Sequence, residues 1–104
     1  MYARGDEEAA IRDGVIEAAA VALGMLADAT RLRLMAQLMA GERDVTTLTS
    51  AVGASRPAVS QHLAKLRLSG LVAVRRQGRR SLYAIADEHV RRLVTEAMAE
   101  PAPR

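Results

Sequence analysis

The stretch "DVTTLTSAVGASRPAVSQHLAKLRLSG" (44–70) constrains the fold most, because it holds the start and stop signals of two short helices in close succession. Asp44 or Thr46 is suited to cap the first helix, and Ser55 the second. Gly53 lies between them and permits a left-handed backbone conformation. The second helix is predicted to bury an apolar face formed by Val59, Leu63 and Leu66. Two helices joined by a short glycine-containing turn form a helix-turn-helix.

Two further helices are predicted before this unit. The first spans 7–26 and the second 29–40, for which Asp28 is a suitable N-cap. Apolar residues of the first helix recur at steps of four and three, like the seam of a coiled coil. This seam consists of Ile11, Val15, Ala18, Ala22 and Met25. A second apolar stripe, formed by Ile16, Leu23 and Leu26, runs beside it. We expect one stripe to face the domain core and the other a different surface.

A β-hairpin and a last helix are predicted after the unit. Residues 71–76 and 81–86 alternate like strands around a short turn, which predicts a wing. Asp87 can cap a final helix. The predicted fold is therefore mainly α with a small β-hairpin, a winged helix-turn-helix of order α-α-α-α-β-β-α. We expect one domain over 1–104, with residues 1–6 and 100–104 disordered or frayed.

Positive charge is concentrated in the middle of the chain. The net charge is only +3, yet the stretch from Val45 to Ala86 contains no Asp or Glu and seven Lys and Arg residues. These seven are Arg56, Lys65, Arg67, Arg75, Arg76, Arg79 and Arg80. A solvated basic face is one explanation. A segment of one charge sign on a small domain is more typical of a nucleic-acid footprint.

The second helix of the unit carries an outward stripe that can read base edges. Arg56, Ser60 and Gln61 lie in its N-terminal half, which a recognition helix directs at bases. Arg matches guanine, Gln matches adenine, and Ser matches either. His62 borders the apolar face and is interpreted as a structural histidine.

Other residues are expected to contact phosphates. Ser55 and the helix N-terminus are placed to meet a phosphate, and Lys65 and Arg67 are better placed for backbone contacts. Four arginines surround the hairpin turn, namely Arg75, Arg76, Arg79 and Arg80. They serve either to prevent edge-to-edge strand pairing or, as we predict, to clamp phosphate or enter a minor groove.

Four motifs spread over nearly the whole chain show a family resemblance. They are "LADATRLRLM" (26–35), "VSQHLAKLRLSGLV" (59–72), "RRQGRRSLYAI" (75–85) and "DEHV" (87–90). With them the chain resembles the ArsR/SmtB family of winged helix-turn-helix repressors, and most of all its actinobacterial nickel- and cobalt-sensing members. The resemblance implies a homodimer that binds palindromic operators and releases them when an inducer binds. It also makes Ser60 and Gln61 the base-reading pair.

The resemblance further implies a dimer interface between the first and last helices. Its residues would be Ile11, Val15, Ala18, Ala22, Val90, Leu93 and Ala97.

A metal site in the last helix is also implied. Asp87 and His89 match the Asp-x-His start of the zinc, cobalt and nickel site, and Glu100 matches a third ligand. Pro103 stands where a fourth is expected. The separation of His89 and Glu100 is about 16 Å along a helix, so only two antiparallel copies could bring these residues to one ion. Nickel, cobalt or zinc is therefore a candidate inducer, whereas the thiolate site of the arsenic and cadmium sensors is absent.

Other protein classes fit less well. The chain has no Cys, which excludes disulfides and thiolate chemistry and suits a reducing cytoplasm. We expect no signal peptide, and the longest apolar run (18–26) is too short to cross a membrane. A Gly-rich phosphate loop and a catalytic cluster are both missing, so we expect no enzyme.

The sequence thus predicts a cytoplasmic, sequence-specific DNA-binding transcriptional repressor. The alternative is a winged-helix protein-interaction module without sequence-specific DNA binding, and a steep salt dependence of duplex binding separates the two.

Overall fold

The fold consists of five helices and a small antiparallel sheet within residues 4–100, the part of the chain that the computed structural model describes. The helices are α1 (Arg4–Leu26), α2 (Ala29–Leu38), α3 (Val45–Val52), α4 (Arg56–Leu68) and α5 (Glu88–Ala97). The strands are β1 (Arg43–Asp44), β2 (Val72–Gln77) and β3 (Arg80–Ile85), and they pair in the order β1-β3-β2. This architecture confirms the predicted mainly-α winged helix-turn-helix. It adds β1, a strand of two residues that the sequence did not predict.

Side-chain caps start four of the helices, as predicted. Each cap accepts a hydrogen bond from the backbone N–H three residues later, at 2.8–3.2 Å. The caps are Asp28, Asp44, Ser55 and Asp87. Of the two candidates for α3, Asp44 is therefore the cap and Thr46 is not. Gly53 has a φ of 68°, which confirms the left-handed turn between α3 and α4.

Several predicted boundaries shift. α1 begins at Arg4, so residues 4–6, which were expected to be disordered or frayed, belong to this helix, while residues 1–3 and 101–104 lie outside the described part of the chain. α2 ends at Leu38 and does not reach Gly41. α5 ends at Ala97, which leaves Glu100 beyond the helix. In the wing, Gln77 pairs with Arg80, so the hairpin turn contains only two residues.

The core lies between α2, α3, α4, the sheet and α5. Leu34, Leu48, Leu63 and Leu66 are fully shielded from solvent, and Val94 of α5 packs with them. The three predicted apolar residues of α4 all belong to this core. Because α4 is anchored through one face, its other face is held in a fixed orientation toward solvent.

α1 contributes little to this core. Leu26, at its C-terminal end, is buried, whereas large apolar side chains that precede it in the helix are exposed. These are Ile11, Val15, Ile16, Val21 and Leu23, which are 54–69% exposed. The helix therefore carries apolar surface that its own chain leaves uncovered. No helix among residues 4–100 combines the length and apolar character needed to cross a membrane.

Candidate nucleic-acid interface

The outward face of α4 presents the side chains that the sequence assigned to DNA. Ser60 and Gln61 are exposed, as is Arg56 at the first position of the helix. Lys65 and Arg67 are exposed in the last turn. Ser55 is exposed too, but its hydroxyl accepts the capping hydrogen bond from the Ala58 N–H at 3.2 Å. All of the residues of α4 that the sequence assigned to base reading or to the DNA backbone are therefore exposed to solvent.

His62 is held by a side chain rather than by the backbone. Nη1 of Arg31 lies 3.3 Å from its Nδ1, and Nε of the same arginine donates to the Met25 carbonyl at 2.6 Å. A guanidinium has donors only, so in this hydrogen bond Nδ1 of His62 is the acceptor. Arg31 therefore ties the end of α1 to α4 through α2, which supports the structural interpretation of His62.

Three of the four wing arginines lie in the strands and are divided between two faces of the hairpin, while Arg79 lies in the turn. Arg75 pairs across the hairpin with Leu82, and Arg76 pairs with Ser81. Because side chains alternate along a strand, Arg75 and Arg80 share the face of Leu82, while Arg76 shares the face of Ser81. The four residues predicted as one basic cluster therefore have two different surroundings.

On the face of Leu82, both arginines are bound by acidic residues that come just before the acid-free stretch 45–86. Arg75 donates from Nε and a terminal nitrogen to the Glu42 carboxylate at 2.7 and 2.9 Å. This hydrogen bonding lowers the pKa of Glu42 and raises that of Arg75. Arg80 contacts Oδ2 of Asp44 at 3.1 Å. The pKa of Asp44 is lowered, chiefly by the backbone N–H of Thr47 and then by the side chains of Thr47 and Arg80.

The other two arginines are less engaged. Arg76 reaches Ser81 Oγ at a long 3.4 Å. Arg79 stands in the hairpin turn after Gly78, whose φ is 62°, and makes no side-chain hydrogen bond or ion pair within residues 4–100. Of the four wing arginines, Arg76 and Arg79 are consequently the most available to an external anion.

The predicted dimer residues do not all lie on the surface. Ile11, Val15 and Ala18 are exposed on α1, and Ala97 is exposed on α5. Ala22 and Leu93 are half-buried against the chain's own core. Val90 is 4% exposed because α5 uses it to pack on that core. Val90 therefore has little surface in one chain with which to contact a partner, and its place in a dimer interface stays a prediction.

The predicted metal ligands are not gathered within one chain. Asp87 uses Oδ1 to cap α5, accepting from the Val90 N–H at 2.9 Å. His89 is exposed in the first turn, and Glu100 lies beyond the end of the helix. Within residues 4–100, no three His, Cys, Asp or Glu side chains lie together as a metal site requires. The donor set does not form a metal site in one chain.

α4 is anchored in the core through one face and exposes the other, and a basic hairpin follows it. Together these features define a winged helix-turn-helix protein. The comparisons with known proteins agree. Residues 28–74 match the family model "Bacterial regulatory protein, arsR family". The transcriptional regulator KmtR of Mycobacterium tuberculosis is 49% identical over 74 residues, and these cover 71% of this chain and 57% of KmtR. CmtR of Mycobacterium bovis is 41% identical over 81 residues, covering 77% of this chain and 69% of CmtR.

A solved structure agrees over more of the chain. It is the homodimeric winged helix-turn-helix DNA-binding domain of a possible ArsR-family regulator from Mycobacterium bovis, determined by solution NMR. The TM-score is 0.80 at 34% identity, covering 93% of this chain and 86% of that one. This chain belongs to the arsR family of bacterial regulatory proteins.

Proposed function

We propose that the protein is a transcriptional repressor that binds a palindromic DNA operator as a homodimer, in the cytoplasm where the DNA is. The observation that carries this proposal is the arrangement of α4. Val59, Leu63 and Leu66 are completely buried, so the helix is rigidly anchored, and its exposed face carries Ser60 and Gln61 beside a basic wing. A helix held in this way can enter a major groove without reorganising the domain.

Charge and side-chain chemistry favour DNA over a protein partner. Arg and Gln on the exposed face make bidentate hydrogen bonds to guanine and adenine. The wing adds Arg76 and Arg79, which retain donors for phosphate. The relatives are named as transcriptional regulators, and the M. bovis structure is described as a DNA-binding domain. These features support a DNA-binding protein over a protein-interaction module.

A dimer follows from the uncovered apolar side of α1. Ile11 is 69% exposed and Val15 is 62% exposed, and exposed apolar surface of this kind marks an interface. A two-fold dimer presents two α4 helices related by symmetry, and its operator must then be palindromic.

Replacing Gln61 with Ala is expected to relax sequence preference at one base pair in each half-site. The lost bidentate contact is worth about 1–3 kcal/mol. Lys65→Ala is the matched comparison, since Lys65 is exposed on the same helix but is placed for phosphate, and it should weaken all sequences alike. The measurement is the relative affinity of single-base variants of a duplex selected in vitro. A Gln61→Ala protein with unchanged preference would remove this residue from base reading.

Metal binding is a separate prediction, and it requires two chains. If α5 helices lie antiparallel across the dimer, Asp87 and His89 of one copy approach Glu100 of the other, an all-nitrogen-and-oxygen set suited to nickel, cobalt or zinc. His89→Ala should then abolish the binding of these ions, and Glu96→Gln, at an exposed position of the same helix, should not. Titration calorimetry near neutral pH measures both. Bound metal should also loosen operator binding reciprocally, and unchanged binding in His89→Ala would exclude this site.

A further inference from the structure

A polar crevice lies where the start of α3, the start of α4 and the wing meet. Its volume is about 200 Å³. Six of its lining residues are polar or charged, and they are Asp44, Thr46, Arg56, Arg79, Arg80 and Ser81. Three guanidinium groups face one carboxylate, so the crevice has an excess of positive charge. Such a site attracts an anion.

The protein itself holds two of the three arginines in position. Arg56 donates to the Thr46 hydroxyl oxygen at 2.9 Å, and Arg80 contacts Oδ2 of Asp44 at 3.1 Å. Asp44 is satisfied on both oxygens, since its Oδ1 accepts from the Thr47 N–H at 2.8 Å. Because the negative charge of Asp44 is already balanced by internal partners, it opposes an incoming anion less than a free carboxylate would.

Unused donors remain around the crevice. A guanidinium has five N–H donors, and the contacts of Arg56 and Arg80 use only some of them. The Thr46 hydroxyl accepts from Arg56 and keeps its own O–H to donate. Ser81 has only the long contact from Arg76 at 3.4 Å. Arg79 has no side-chain partner among residues 4–100. Hydroxyl and guanidinium donors that converge in this way are the groups that bind phosphate oxygens.

The sheet edge beside the crevice is also open. β1 pairs with β3 only at Tyr83 and Leu82, so no strand in the described part of the chain covers β3 on that side at Arg80 and Ser81. An uncovered strand edge presents backbone N–H groups. In the two-residue hairpin the Arg80 N–H is directed at Gln77, so of these two residues only Ser81 can direct its backbone N–H to the open side.

We propose that this crevice binds one phosphodiester of the DNA backbone and thereby fixes the distance between the wing and α4. The inference rests on the proposed function and deepens it. Thr46 becomes a positioning contact on α3, a helix to which the sequence assigned no DNA contact. A phosphodiester is favoured over a free phosphate because the crevice lies between the two elements that approach the duplex, α4 and the wing. A phosphate held there sets the register in which Gln61 meets the bases, as phosphate contacts do.

The test is a phosphate-neutralisation cycle on a duplex that the wild-type chain selects in vitro. Each phosphate is replaced in turn by an uncharged methylphosphonate. Neutralising one particular phosphate in each half-site should lower the affinity of the wild-type protein about tenfold or more, the loss expected for charged hydrogen bonds. Arg79→Gln and Thr46→Val should lose affinity for the unmodified duplex, and neither should lose much more when that one phosphate is neutralised. Arg92→Gln, an exposed arginine on α5, is the charge-matched control and should keep the full sensitivity.

Each outcome decides the proposal. If the affinity losses caused by Arg79→Gln and by phosphate neutralisation simply add, the variant remains fully sensitive to every phosphate. This result would overturn the proposed role of the crevice and leave the proposed DNA binding intact. Saturable, Arg79-dependent binding of inorganic phosphate to the DNA-free protein at constant ionic strength would instead identify a small-molecule phosphate site and overturn the phosphodiester assignment. Failure of the wild-type chain to select any duplex overturns both the proposed function and this inference. Circular dichroism checks the fold of each variant, and Arg79, in an exposed turn, can be replaced without disturbing the core.

Discussion

Raising the salt concentration from 50 to 200 mM should lower the affinity of the protein for duplex DNA by about 10³–10⁵, if the dimer neutralises roughly 6–10 phosphates. The physical reason is the release of condensed counterions from the duplex when basic side chains replace them. The basic residues that face solvent on α4 and the wing are sufficient in number for this effect. Fluorescence anisotropy of a labelled duplex measured across a salt series gives the slope. A flat series would favour the protein-interaction module instead.

Individual wing arginines should contribute unequally to that slope. In a dimer, Arg79→Ala should reduce the magnitude of the slope of log affinity against log salt concentration by about two, because each protomer loses one phosphate contact. Arg75→Ala removes the same charge, but Arg75 is held by both oxygens of Glu42 at 2.7 and 2.9 Å. We therefore expect a clearly smaller change for Arg75→Ala. Equal changes in the two variants would mean that the Glu42–Arg75 ion pair opens when DNA binds.

Local signals explain why so much of the fold was predictable. Caps at Asp28, Ser55 and Asp87 and the left-handed Gly53 depend on residues within three positions of one another, and all four are confirmed. The buried face of α4 follows from helical spacing alone. Each of these features is decided by nearest neighbours along the chain, which the sequence displays directly.

Contacts between distant residues account for what the sequence did not show. β1 has only two residues, too few for a periodic pattern, and it forms by pairing with Leu82 and Tyr83. The ion pair of Glu42 with Arg75 joins residues 33 positions apart. Counting charges suggested four equivalent wing arginines, because an acid-free stretch says nothing about acids immediately before it. The acids at 42 and 44 directly precede that stretch. Acidic residues at the edge of a basic segment are the signal that could have indicated an ion pair with wing arginines.

The burial of Val90 is another contact between distant parts of the chain that the sequence did not show. The apolar face of α5 was assigned to a dimer interface, but a helix of ten residues must first attach itself to its own domain, and Val90 and Val94 do this. Surface remains for a partner on α1, where apolar residues of both stripes are exposed. The dimer interface is thus expected to depend on α1 more than the sequence suggested.

Val15→Glu should convert the dimer to folded monomers and strongly weaken operator binding. Val15 is 62% exposed within one chain, so a charge there costs the protomer little, whereas in a dimer it would be buried without a partner. Leu93→Glu is less informative because Leu93 packs against the chain's own core, and its loss would also unfold the protomer. Analytical ultracentrifugation of the variant gives the mass, and circular dichroism confirms that its helices are retained.

Ala10→Lys is the control for the dimer, since Ala10 lies outside the apolar seam of α1 and has Asp13 and Glu17 at i+3 and i+7, with which a lysine can pair. This variant should remain dimeric and bind duplex DNA like the wild type.

A wild-type protein that sediments as a monomer at concentrations on the order of tens of micromolar would contradict the dimer. In that case the exposed side of α1 would need another partner. A single α4 would then read one half-site, so the affinity for a palindrome would equal that for an isolated half-site. Comparing the two duplexes therefore tests the dimer independently of sedimentation, because only a dimer binds both half-sites at once and gains affinity from their linkage.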